Sequence, residues 1–166
     1  MPGVGGLSQN DVFSAESIRD VMNTLAAREL IRLEDRSGSV IVRLTREPPS
    51  PYGDFEAELE VESSFATVRA RLSVRSEDFD DWAECLDLLQ EGERDEYGPP
   101  VSVYWSNSGR QPWLTVISDD PISVEVGDPT QSGVRVHIPL DLRSVERAWV
   151  EHARERLHAV RDAWGV

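Results

Sequence analysis

Acidic groups crowd one short stretch, SEDFDDWAECLDLLQEG from Ser76 to Gly92, around a tryptophan and the chain's only cysteine. Carboxylates at Asp80, Asp81 and Glu84 beside the thiol of Cys85 are the residue types that serve as proton-transfer pairs, cation ligands, or a nucleophile with its base. Their spacing points elsewhere. On a helix, Phe79, Trp82, Ala83, Leu86 and Leu89 share one face, while Asp80, Asp81, Glu84 and Asp87 share the other. A single helix face cannot enclose a cation. Cys85 lies at the flank, half-buried, with no basic neighbour in sequence to stabilise a thiolate. Leu88 falls among the acids and is a candidate interface residue.

Tyr104, Trp105 and Trp113 flank one turn and form a candidate aromatic platform for a ligand or partner. His158 and Asp162 stand one helical turn apart with Glu155 nearby, but HExxH spacing is absent and ordinary helix-surface pairing accounts for them. Neither a metal nor a cofactor is expected. The chain has no lysine, which excludes Schiff-base chemistry, a Walker A phosphate loop and a kinase-type lysine. A formal charge of −14 opposes binding to nucleic-acid phosphates and to anionic membrane. With one cysteine, neither an internal disulfide nor a multi-cysteine zinc site can form, and a reducing cytoplasm is the expected location. The N-terminal residues show neither a basic nor an apolar leader region, and no apolar run reaches membrane-spanning length.

These candidates need a scaffold. MPGVGGLSQN is glycine-rich, and Ser14 to Leu30 predicts a helix with Ile18, Val21, Met22 and Leu25 on one side. Residues 1–28 thus read as an extension and 29–166 as one domain, long enough to build a conventional apolar core. Met22 is an alternative translation start, to be checked by N-terminal sequencing of natively expressed protein. LIRLEDRSGSVIVRLT predicts a hairpin turning at Asp35, Arg36, Ser37 and Gly38. In DFEAELEVESSFATVRARLSVR, Phe55, Ala57, Leu59 and Val61 alternate with four glutamates, giving one dry and one wet face. Reversal at Ser63 and Ser64 would set Leu59 opposite Val68, Ala57 opposite Ala70 and Phe55 opposite Leu72, with Glu58 facing Arg69 and Glu56 facing Arg71. Ser76 is the expected cap of the acidic helix.

VSVYW with PWLTVIS, then ISVEV with GVRVHIPL, predict two more hairpins, the last strand burying Val134, Val136 and Ile138. A final helix from Ser144, its expected cap, to Trp164 buries Trp149, Ala153, Leu157, Val160 and Trp164. The resulting class is α+β: a curved, mainly antiparallel sheet of about eight strands, one helix inserted after the fourth strand, and a packed C-terminal helix.

The segments ELIRLEDRSGSVIVRL, FEAELEVESSF, SEDFDDWAECLDLL, SGVRVHIPLDL and WVEHARERLHAVRDAW together resemble a family of small bacterial proteins of unknown function, from about Glu29 to the C-terminus. The resemblance implies one domain and carries no catalytic motif. The leading functional expectation is a non-enzymatic, acidic protein-binding module, immunity- or antitoxin-like, covering a basic protein partner through Asp80, Asp81 and Glu84. Two alternatives are a small-ligand domain using Trp105 or Trp113, and a hydrolase assembled from distant segments.

Overall fold

The structure, a computed structural model, describes residues 28–45, 53–94, 98–106, 111–128, 133–145 and 148–166. The helix expected over Ser14 to Leu30 lies outside these as far as residue 27, and its last two residues, Glu29 and Leu30, are strand rather than helix because they pair with the second strand of the first sheet. Eight antiparallel strands form two four-stranded sheets, each a meander in chain order. The first holds β1 (Glu29–Glu34), β2 (Gly38–Leu44), β3 (Phe55–Ser63) and β4 (Thr67–Val74). The second holds β5 (Ser102–Trp105), β6 (Trp113–Ile117), β7 (Ile122–Gly127) and β8 (Arg135–Leu140). Helix α1 (Ser76–Arg94) joins the sheets, and α2 (Leu142–Val145) and α3 (Trp149–Trp164) follow β8. The α+β class, the helix after the fourth strand and the packed C-terminal helix are as the sequence pattern predicts, with the strands divided between two sheets. Both sheets and both long helices contribute to one contiguous buried cluster.

The first hairpin turns where Asp35 directs it. Its Oδ1 accepts hydrogen bonds from the Ser37 amide, the Ser37 hydroxyl and the Gly38 amide, and its Oδ2 accepts from the Asp141 amide at 2.7 Å. One carboxylate therefore closes a turn of the first sheet and holds the end of β8 in the second. Burial alone would raise the Asp35 pKa, but these four donors hold it below the ordinary carboxylate value. A Cβ at Gly38 would lie 2.6 Å from the Glu62 carbonyl oxygen, so only glycine permits β2 and β3 to approach there.

The β3–β4 register differs from the expected one by two residues: Leu59 faces Ala70, Ala57 faces Leu72 and Phe55 faces Val74. The turn is wider than a Ser63–Ser64 reversal, because Ser63 and Ala66 close it, with the Ser63 amide donating to the Ala66 carbonyl at 2.9 Å. A slip of two residues leaves every side chain on its predicted face, so the buried row survives while the ion pairs change partners. Glu60 meets Arg69 at 2.7 Å, and Glu58 faces Arg71. On the outer face of this sheet, Glu29, Arg43, Glu58 and Arg71 stand in register across all four strands, alternating in sign.

Two helix starts also differ. Ser76 is already helical, and the end is closed by Asp78, whose carboxylate accepts the Arg75 amide at 2.7 Å. Ser144 belongs to the short α2, capped by Asp141, and the long helix begins after Ala148 with no side-chain cap. In β8, Ile138 is buried and Val136 partly so, but Val134 precedes the strand and is 51% exposed.

Two of the four sheet edges are covered. Helix α3 runs beside β1, and Arg156 reaches the Glu29 carboxylate there at 3.5 Å. Helix α1 runs beside β5. The Ser118 amide bonds the Val101 carbonyl at 2.8 Å, which fixes the hydrogen-bond alternation so that Tyr104 turns its carbonyl away from β6. The Cys85 thiol donates to that carbonyl at 3.5 Å. Among the described residues, the other two edges, β4 and β8, pair on one side only.

Candidate functional site: a cleft along the free edge of the last strand

The acidic helix is built as its periodicity predicts. Phe79, Trp82, Leu86 and Leu89 are buried, and Asp80, Asp81, Glu84, Asp87 and Leu88 are exposed, Leu88 by 49%. Two of these acids already have partners: α3 crosses α1 so that Arg161 pairs with Asp80 and Arg154 with Asp87. Among the described residues no group of acids, histidines and cysteine has the geometry of a cation site. Cys85 is more deeply buried than a flank position suggests. Burial first, then the charges of Asp81 and Glu84, push its pKa up to about 11. At neutral pH it is a protonated thiol, and protonated thiols are poor nucleophiles.

The three aromatic candidates separate. Trp105 is 2% exposed, with its indole Nε1 donating to the Asp78 carbonyl at 2.8 Å. Tyr104, one residue earlier, necessarily projects from the opposite face of β5 and is 59% exposed. Trp113 lies flat across Gly127 on the neighbouring strand, where a Cβ would fall 2.4 Å from its ring. The Arg135 guanidinium covers it from β8, 5.5 Å from the ring centroid. Strand alternation breaks the platform: Trp105 anchors the core, and Trp113 is already stacked.

A different site emerges between the sheets. A cleft of about 480 Å³ is lined by Val61, Phe65 and Val68 from the β3–β4 hairpin and by Val136, His137 and Ile138 from β8. Phe65, at the hairpin tip, is 91% exposed. Residues from both faces of β8 line this cleft, so it runs along the strand's backbone edge. The Asp128 amide bonds the Val134 carbonyl at 3.0 Å. With the β7–β8 register, that bond makes Val136, Ile138 and Leu140 the residues that exchange hydrogen bonds with β7. Arg135, His137 and Pro139 direct their backbone groups outward, and Pro139 falls where a missing N–H costs no ladder bond.

Beyond Pro139 the outward amide of Asp141 is taken by Asp35. The same logic applies to β4: Thr67, Arg69, Arg71 and Ser73 face outward, and Ser73 is taken by the Gln111 side chain at 3.0 Å. Among the described residues, the outward amides of Thr67, Arg69, Arg71, Arg135 and His137 have no partner. The sequence signal for this cleft was the combination of SSFATV, with an aromatic in a turn, and RVHIPL, with a proline in a strand.

No curated protein and no solved structure matches the chain. Residues 28–165 match the model of a family of unknown function, DUF5959, nearly the whole of the described structure. The chain belongs to that family.

Proposed function

We propose that the protein is a non-enzymatic protein-binding module that takes hold of its partner at the cleft beside β8. One observation carries this reading: an apolar cleft open to solvent, with Phe65 91% exposed on its rim, sits against a strand edge that no described strand pairs with. Exposed aromatics beside concave apolar surface are typical anchors of protein interfaces. The acidic coat of α1 is the weaker candidate, since Arg161 and Arg154 already answer Asp80 and Asp87. Asp81 and Glu84 supply long-range steering for a basic partner, as in an immunity- or antitoxin-like role, without an apolar anchor of their own beyond Leu88.

The test is a photo-crosslinking amino acid placed at Phe65 in one variant and at Glu84 in another, expressed in the native cell. A discrete adduct from the Phe65 position and none from Glu84 supports the cleft. An adduct only from Glu84 moves the interface to the acidic helix, and none from either position rejects a stable protein partner.

A further inference from the structure

Taking the cleft as the binding surface, we infer that its occupant is an extended segment of the partner that adds as a fifth strand to the free edge of β8, alternating acidic with apolar side chains. The backbone requirement comes from the edge itself. Arg135 and His137 offer outward N–H and C=O groups, and Pro139 an outward carbonyl, over a span of about 13 Å, room for roughly four residues of strand.

The side-chain requirement comes from what flanks that edge. A strand added there would turn alternate residues toward Val61, Phe65 and Val68, and the others toward the row of Arg135 and His137. The molecule contains its own precedent. Strand β4, TVRARLSV, is a basic strand without acids, and it is paired by β3, FEAELEVES, whose glutamates meet its arginines while its apolar residues face the core. Strand β8, RVHIPL, has the same basic and apolar alternation and no acid. It has a single glutamate beside it, Glu125 on β7, which meets Arg135 at 3.3 Å and faces His137. Its outer side has no such counterpart among the described residues.

Charge also argues against a second copy as the occupant. Pairing β8 with another β8 brings two Arg135 side chains onto one short strand pair with no acid between them, and pairing it with β4 brings Arg135 beside Arg69 and Arg71; a strand pair that gathers like charges without a counter-charge is disfavoured. An acidic strand has no such conflict. The local preference of this edge is therefore opposite in sign to the chain's net charge of −14.

The probe is the acetylated nonapeptide FEAELEVES, added to the full chain, with FKAKLKVKS as its charge-reversed control and amide hydrogen exchange as the readout. The acidic peptide is expected to slow exchange at Arg135 and His137 by tenfold or more at saturation, and the lysine peptide to leave both unchanged. His137→Pro removes an outward donor where proline is sterically admissible, and is expected to weaken peptide binding at least tenfold with an unchanged circular dichroism spectrum. Phe65→Ser is expected to weaken it severalfold. Each of these results overturns the proposal: no protection at millimolar peptide, equal protection by the lysine peptide, undiminished binding by His137→Pro, or amides already protected without peptide. If that last protection rises with protein concentration, a second copy is the occupant; if it does not, the chain fills its own cleft. A Phe65 crosslink that persists in His137→Pro would reject strand addition while leaving the binding module intact.

Discussion

The covered and uncovered edges of the two sheets were finished in different ways. At β1 and β5 a helix lies alongside, and a side chain closes the seam: Arg156 on Glu29, and the Cys85 thiol on the Tyr104 carbonyl. Among the described residues, β4 and β8 are closed only at the far end of the seam, by Gln111 on Ser73 and by Asp35 on Asp141. The remaining stretch of each is basic and lacks acids. Charged edges are a common defence against indiscriminate strand pairing. On the proposed reading the defence is selective, since it disfavours the chain's own basic edges and suits a strand of opposite charge. An edge can thus be closed to most partners by electrostatics alone and still be available to one class.

Proline substitution gives the largest contrast. Val124→Pro, in the middle of β7 with strands on both sides, removes a ladder bond and should unfold the domain, at about 3 kcal/mol or more. His137→Pro on the open edge should cost under about 1 kcal/mol by urea denaturation. Equal losses would mean the β8 edge is covered. Aromatic truncation is the next largest. Trp82 is fully buried on the covered side, and Trp82→Ala should cost about 3–5 kcal/mol, whereas Phe65→Ser should stay within roughly 0.5 kcal/mol. A costly Phe65 substitution would show that its ring packs against something in the free protein.

At the β1 edge, the buried Glu29 carboxylate joins Arg32, Arg43 and Arg156. Glu29→Gln leaves three guanidinium groups converging on a neutral amide. A loss of ~2 kcal/mol is expected, reduced from the cost of a fully buried pair because the arginines are partly exposed. Both the loss and its persistence in high salt can be read from denaturation midpoints.

At β5 the seam is sensitive to alkali. The Cys85 pKa is raised in the folded state to about 11 from 9.0, so the native state resists losing that proton while the unfolded state gives it up. The stabilisation is complete below pH 9 and is lost as pH rises toward 11, so wild-type stability should fall more steeply over that window than that of Cys85→Ala. Parallel slopes would remove the thiol from the account. The smallest effect belongs to the exposed pair of Asp80 and Arg161: Asp80→Asn should cost only ~0.2–1 kcal/mol and vanish in salt.

The legible parts of the fold were those in which one short-range pattern suffices. Alternation in FEAELEVES assigned every β3 residue to its face, and the helical stripe of Phe79, Trp82, Leu86 and Leu89 named the buried side of α1. The β3–β4 register was missed by two residues, because alternation is blind to a slip of two and the Ser63 to Ala66 closure depends on hydroxyl bonding that period counting does not see. The candidate site was less legible. Asp80, Asp81, Glu84, Asp87 and Leu88 were correctly placed on a wet face, but Arg161 and Arg154, which partner Asp80 and Asp87, lie far along the chain on another helix. Tyr104 and Trp105 are adjacent in sequence and therefore opposed in a strand, so proximity along the chain misled where strand geometry separates. The cleft is formed by residues from two sheets whose mutual placement no local pattern encodes.

Asp35 gives the arrangement a further property. Its carboxylate is a rivet between the sheets, tying the first turn to the residue that follows β8, and β8 is one wall of the cleft. Because its pKa is held below 3.8, the rivet keeps its charge through the whole neutral and mildly acidic range and fails only in strong acid, as pH drops through the depressed value. The tie between the end of β8 and the first sheet therefore persists under ordinary conditions. A visiting strand would meet an edge already anchored at one end to the neighbouring sheet.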